Sequence, residues 1–138
     1  MSLTLWTDSY ATVEDIDKLL ITNKDWQTLT TATKEDYIKS AAFAIDTHFE
    51  PAGTKVNESQ TLNFPRDFGG ASDNLFDQNA QARNLKRATY WQCVQYLKDA
   101  CFGIADFTKE SDRKFPSSLL SDNAYIVLKI YKFEGVLV

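Results

Sequence analysis

Apolar residues recur at helical spacing in four segments of the chain. Steps of three and four residues between apolar positions are typical of amphipathic helices, whereas strict alternation would indicate strands. The spacing predicts helices over residues 12–21, 33–49, 77–102 and 121–133. The last segment is rich in strand formers at 125–128, but its helical spacing and a capping serine favour a short helix.

Residues that start and stop helices flank these segments. Thr12 can cap the first helix, with Asp15 at the third position of a capping box. Pro51 ends the second helix because proline lacks the amide hydrogen that a helix needs. Gly103 supplies a C-terminal stop for the third helix, the longest of the four.

Two long connections, residues 50–76 and 103–120, show no helical period. Loops of this length in a small domain are functional or disordered, and disordered segments carry few large apolar side chains. These connections carry many, so we expect them to dock on their own core or on a neighbouring subunit. Their large apolar residues are Leu62, Phe64, Phe68, Leu75, Phe76, Ile104, Phe107 and Phe115.

The predicted fold is therefore all-α. It is a single domain, residues 1–138, built as a small bundle of three to four helices with two long extended loops and a C-terminal arm. The length of 138 residues and the 43% hydrophobic content fit one hydrophobic core. No apolar run approaches the ~20 residues that span a bilayer, so we expect a soluble protein with no membrane partner.

The overall charge disfavours a dedicated nucleic-acid binder, since the formal net charge is −4. One basic cluster stands against this trend. Arg83, Lys86 and Arg87 precede Tyr90 and Trp91 on the third predicted helix. Basic side chains can contact phosphates, and neighbouring aromatic rings can stack on nucleobases. A solvated helix face would have the same composition, so both interpretations stay open.

Candidate chemistry is sparse. The chain has one histidine, His48, and two cysteines, and their spacing matches no zinc site. The pair Gly69-Gly70 lacks the lysine and the strand-to-helix context of a phosphate-binding loop, and no nucleophile-elbow motif occurs. We therefore expect a protein that is not an enzyme and uses no metal or cofactor.

Four strings, in this order, resemble a known family. They are the opening Trp6–Asp15, the alanine-rich second helix Thr33–His48, the loop string Gln60-Thr61-Leu62-Asn63-Phe64-Pro65-Arg66, and Leu85–Thr89 at the start of the long helix. The family is the head–tail adaptor (connector) proteins of tailed bacteriophages and prophages. Some of its members carry the label "putative DnaT-like single-stranded-DNA-binding protein".

The resemblance implies a structural virion protein at the head–tail junction, made in the host cytoplasm. Such a subunit would join a homo-oligomeric ring, with twelve copies expected, beneath the portal protein. The ring would extend the DNA channel and dock the next neck or tail component, and packaged double-stranded DNA would pass through it without specific binding. The alternative is a single-stranded-DNA-binding accessory protein, whose contacts would be Arg83, Lys86 and Arg87.

The same resemblance suggests which residues carry the assembly. The subunit and portal interface would use Phe64, Pro65 and Arg66, with the loop residues Phe68, Phe107 and Phe115. An intrachain role for the Phe64-Pro65-Arg66 element, with Phe64 in the core and Arg66 paired locally, is an equal alternative. The interface reading predicts that Arg66→Ala weakens assembly more than folding.

A further hypothesis concerns the acidic first third of the chain, where residues 1–50 hold nine acids and four bases. Glu14, Asp15 and Asp17 would line the channel and repel DNA, so that it slides without sticking.

Overall fold

The computed structural model describes residues 3–68, 77–101 and 120–132. Phe107, Phe115, most of the predicted 103–120 loop and the C-terminal arm lie outside these ranges. The described elements, in chain order, are helix α1 (Val13–Leu19), helix α2 (Lys24–Gln27), helix α3 (Thr31–His48), strand β1 (Thr54–Lys55), strand β2 (Arg66–Asp67), helix α4 (Gln78–Cys101), helix α5 (Asp122–Leu128) and a 3-10 helix (Lys129–Tyr131).

The four predicted helices are present as α1, α3, α4 and α5, and the helical choice for the last segment is confirmed. Thr12 caps α1 through the predicted capping box with Asp15. Two features were missed. Asn23 caps the extra short helix α2, where the apolar spacing is too short to be periodic.

The second missed feature is the β1–β2 pair, so the fold is mostly helical and the strictly all-α prediction is wrong. The strands pair antiparallel, with Thr54 opposite Asp67 and Lys55 opposite Arg66. Gly53 precedes β1 with φ of +73°, and a Cβ there would lie 2.3 Å from the Asp67 carbonyl oxygen. Glycine at this position lets the two strands approach each other. The sequence gives no signal for this pair, because two-residue strands are too short to show an alternating pattern.

Among the described residues, the buried side chains form two clusters, both of which include residues of α3 and α4. The first cluster joins α1 and α2 to the N-terminal part of α3 and the C-terminal part of α4, with Trp26, Ile38 and Tyr96 fully buried at its centre. Tyr37 lies edge-on between Trp26 and Tyr96, with ring centroids 6.0 and 6.1 Å away. Edge-to-face packing of this kind is the favoured geometry of aromatic pairs.

The second cluster joins the other ends of α3 and α4 to α5 and to the 50–68 connection. Its buried members include Ile45, Leu85 and Leu128, together with Leu62 and Phe64 from the connection. The described part of this first long loop is therefore docked on its own core, as its apolar content predicts. Small buried residues let α3 approach its neighbours closely: Ser40, Ala41, Ala42 and Ala44.

Within the described residues, no helix combines the length and the apolar character needed to cross a membrane.

Candidate functional site

The loop string 60–66 is closed by the side chain of Gln60. Its Nε2 donates to the carbonyl oxygens of Leu62, at 2.9 Å, and Pro65, at 3.0 Å. Its Oε1 accepts from the backbone nitrogen of Asn57 at 3.1 Å. One amide side chain thus satisfies three backbone groups of a loop that has no regular ladder of its own.

Phe64 anchors this loop in the second core cluster. Its ring is fully buried and lies edge-on to Tyr10 and Tyr131, with centroids 6.0 and 5.7 Å away. The peptide bond to Pro65 is cis. Phe68, which follows β2, is half-buried and stacks on Tyr131 with centroids 5.4 Å apart. Both phenylalanines therefore contact their own chain.

A buried hydrogen-bond chain fixes the position of Phe64. The Tyr10 hydroxyl accepts from the Phe64 backbone nitrogen at 3.2 Å and donates to the Asp46 carboxylate at 2.5 Å. The other oxygen of Asp46 accepts from the Asn63 backbone nitrogen at 3.2 Å. Burial raises the pKa of Asp46, and burial together with the neighbouring carboxylate raises the pKa of Tyr10.

The side chain of Arg66 bonds backbone groups in and beside the hairpin formed by β1, the 60–66 loop string and β2. Its guanidinium donates to the carbonyl oxygens of Ala52 at 3.1 Å, Gly53 at 2.7 Å and Asn63 at 3.4 Å. Its own backbone nitrogen and oxygen bond the side-chain amide of the fully buried Gln81, at 2.8 and 2.9 Å. These contacts support the intrachain reading of Arg66.

A polar cleft opens beside this hairpin, at the C-terminal end of α3. It has a volume of about 560 Å³ and is lined by Asp46, Thr47, His48, Phe49, Glu50, Pro51, Asn63 and Arg66. His48 and Glu50 are exposed at this end of α3, whereas Phe49 is buried. The cleft is the concave feature that the loop string and α3 form together.

The three acids of the channel hypothesis differ in their surroundings. Glu14 is exposed. Asp15 completes the capping box of α1 by accepting from the Thr12 backbone nitrogen, and it lies 3.5 Å from the ammonium group of Lys86. Asp17 accepts from the Trp26 indole at 2.7 Å and from Lys34 at 2.9 Å. Asp15 and Asp17 thus have intrachain roles, and their place in a channel stays a prediction.

The basic cluster also divides. Arg83 and Arg87 are exposed on neighbouring turns of α4, whereas Lys86 contacts Asp15. Tyr90 and Trp91 are half-buried, with ring centroids 4.9 Å apart, and they pack against different core clusters. The surface that remains open to an anionic partner is therefore the Arg83–Arg87 pair with the exposed part of the two rings.

Sequence reasoning missed four side chains that hold the site together: Tyr10, Asp46, Gln60 and Gln81. A signal exists for Gln81, because it lies four residues before Leu85 and eleven before Gln92, at core positions of an amphipathic helix. A polar residue on such a face needs a buried partner. No group of three potential metal ligands occurs in the part of the chain that the structure describes, and burial raises the pKa of the Cys93 thiol.

We predict that Arg66→Ala lowers the free energy of unfolding of the isolated subunit by about 2 kcal/mol, because hydrogen bonds from a charged donor to the hairpin carbonyls are lost. Arg66→Lys should recover only part of this, since an ammonium group cannot bridge separate carbonyls as a planar guanidinium does. Denaturant unfolding measures both, with the exposed Arg87→Ala as control. An unchanged midpoint for Arg66→Ala would restore the interface reading.

The stability of the first cluster should depend on the ionisation of Asp17. Partial burial alone would raise its pKa, but the hydrogen bonds from Lys34 and Trp26 outweigh burial and lower the pKa. A lowered folded-state pKa gives stability that is present above the ordinary aspartate pKa of about 3.9 and is lost as the pH falls through the folded-state value. Asp17→Asn should therefore destabilise the protein at pH 7, and its difference from the parent chain should shrink on acidification.

Thermal unfolding between pH 7 and pH 2.5 would measure this difference, with the exposed Glu14→Gln as control. A difference that is constant over this range would exclude the ionised Asp17 as its cause.

No curated protein and no solved structure matches the chain. Residues 5–114 match the family described as "Putative DnaT-like ssDNA binding protein". This match spans α1, the 60–66 loop string, the Arg66 hairpin and the basic part of α4. The chain therefore belongs to the putative DnaT-like ssDNA-binding protein family.

Proposed function

We propose that the chain is a structural subunit of the phage virion, a head–tail adaptor that assembles into a ring beneath the portal protein. The ring extends the channel for packaged DNA and carries the docking surface for the next neck or tail component. The mechanism is binding and ordering of subunits, without chemical turnover. The resemblance to adaptor proteins motivates this proposal, and the family match covers all four of the strings that carry that resemblance.

The observation that carries the proposal is a pair of separate apolar surfaces. Leu19 and Ile21 are 48% and 72% exposed at the end of α1, beside the first core cluster. Ile126 is 55% and Ile130 40% exposed on the helical turns that follow Ser121, beside the second cluster. We take these two places as the two different contact surfaces that a ring subunit needs.

We predict that Ile126→Asp/Ile130→Asp abolishes incorporation into a portal-bound ring while lowering the melting temperature of the isolated subunit only slightly, because about half of each side chain is already exposed to solvent. Co-expression with the portal protein of the same genome, followed by particle imaging, measures incorporation. Asn123→Asp is the matched control, since it adds a negative charge to an exposed position of the same helix.

A wild-type chain that never co-purifies with the portal protein would refute the adaptor function. A double variant that still enters the ring would refute only the role of these two isoleucines.

Single-stranded-DNA binding is the second candidate function, and the composition of α4 favours it. Between Gln78 and Lys98 the helix carries four basic residues and no acidic residue. Arg83 and Arg87 are exposed, and the half-buried rings of Tyr90 and Trp91 follow them. Guanidinium groups beside aromatic rings suit phosphates and unpaired bases.

On this second function, an oligothymidylate would bind, and its affinity would fall steeply between low and moderate salt. Arg83→Ala/Arg87→Ala would reduce the slope of log affinity against log salt by about 1.4, since each lost phosphate contact contributes about 0.7 for single strands. Fluorescence anisotropy at several salt concentrations measures the slope, with Lys98→Ala/Lys129→Ala as control. Equal slopes for the two double variants would exclude the α4 arginines as the DNA site.

A further inference from the structure

The cleft at the C-terminal end of α3 has the character of a site for a cation. The end of an 18-residue helix carries a partial negative charge from carbonyl groups that lack an intrahelical partner. Glu50 adds an exposed carboxylate at the cleft, and the partly buried carboxylate of Asp46 also lines it. Arg66 contributes the opposite charge, but its guanidinium already donates to three carbonyl oxygens.

The ligand groups of this cleft suit a guanidinium better than a metal ion. Asp46 already accepts hydrogen bonds on both carboxylate oxygens, from Tyr10 and Asn63, and no cluster of three metal ligands occurs among the residues with described positions. A planar guanidinium carries five donors, which can bond carbonyl and carboxylate oxygens that lie apart. Arg66 makes this kind of contact with the same hairpin.

The chain itself supplies exposed guanidinium groups, on helix α4. Arg83 lies two residues before Leu85 and Arg87 two residues after it. Each arginine is therefore rotated by about 200° from Leu85 around the helix axis. Leu85 is fully buried in the second core cluster, which also contains Phe49 from the end of α3. The two arginine side chains lie on the exposed side of α4, while the cleft lies at the α3 end of the second cluster.

We propose that the cleft at residues 46–51, with Asn63 and Arg66, receives Arg83 or Arg87 from a second copy of this chain. The two surfaces are different and complementary in charge, so the contact is heterologous and leads from one copy to the next, as a closed ring requires. Glu50 is the rim carboxylate that meets the incoming arginine. This inference rests on the proposed ring and names its subunit contact.

Charge reversal on each surface tests the contact. Between two copies of Glu50→Arg, the positive cleft of one copy repels Arg83 and Arg87 of the other. Between two copies of Arg83→Glu/Arg87→Glu, the negative helix surface of one copy repels the negative cleft of the other. Each variant alone should associate at least about tenfold more weakly than the wild type, a size measured for close charge pairs across interfaces. In an equimolar mixture both contacts are complementary again, so alternating assemblies should form. Native mass spectrometry, alone and with the portal protein, measures this.

Matched controls carry the same charge changes elsewhere. Glu58→Arg reverses an exposed acid outside the cleft, and Lys98→Glu/Lys129→Glu reverses two exposed bases away from the Arg83–Arg87 pair. These controls should assemble like the wild type, and mixing them with the test variants should rescue nothing.

The outcomes separate this contact from the ring itself. Wild-type rings together with full assembly of both test variants, or no rescue in the mixture, would overturn the contact and leave the adaptor function intact. A wild type that forms no ring, alone or on the portal, would overturn both. If Arg83→Glu/Arg87→Glu abolishes oligonucleotide binding but assembles normally, the arginines serve nucleic acid and the contact is wrong.

Discussion

The buried hydroxyl of Tyr10 connects three segments that are far apart in sequence. It accepts from the backbone of Phe64 and donates to Asp46 on α3, and the same carboxylate holds the backbone of Asn63. If this hydroxyl were lost, a buried amide and a half-buried carboxylate would both lose a partner, a cost of about 1–3 kcal/mol for each. The position of Phe64 in the core, and with it the path of the 60–66 loop, depends on this connection.

The hairpin that follows is built from side chains that act as backbone partners. Gln81 pairs with both polar backbone groups of Arg66, and Gln60 bonds the carbonyls of Leu62 and Pro65. Two-residue strands supply few ladder hydrogen bonds, so these side-chain amides satisfy backbone groups that the strands leave unpaired. The loop string that resembles the adaptor family is thus a folding element, and it forms one wall of the α3 cleft.

Helix α4 has a buried side and an exposed side. Its buried side contributes Leu85, Ala88 and Tyr96 to the core clusters, whereas Arg83 and Arg87 project from the opposite side. Lys86 is partly exposed, and it forms an ion pair with Asp15 at the start of α1. The proposed subunit contact and the DNA-binding proposal both draw on the same exposed arginines, which is why charge reversal combined with mixing discriminates between them.

The sequence by itself determined the helices, since the periodic burial of α1, α3, α4 and α5 is a local property of amphipathic segments. It also determined that the 50–68 connection is docked, because Leu62 and Phe64 are too apolar to remain in water. Only the tertiary structure decided which polar groups meet. Tyr10 is 36 residues from Asp46 and 54 from Phe64, and Gln81 is 15 from Arg66. Contacts between residues this far apart leave no periodic pattern in the sequence. The cleft exists only when the loop packs against the end of α3.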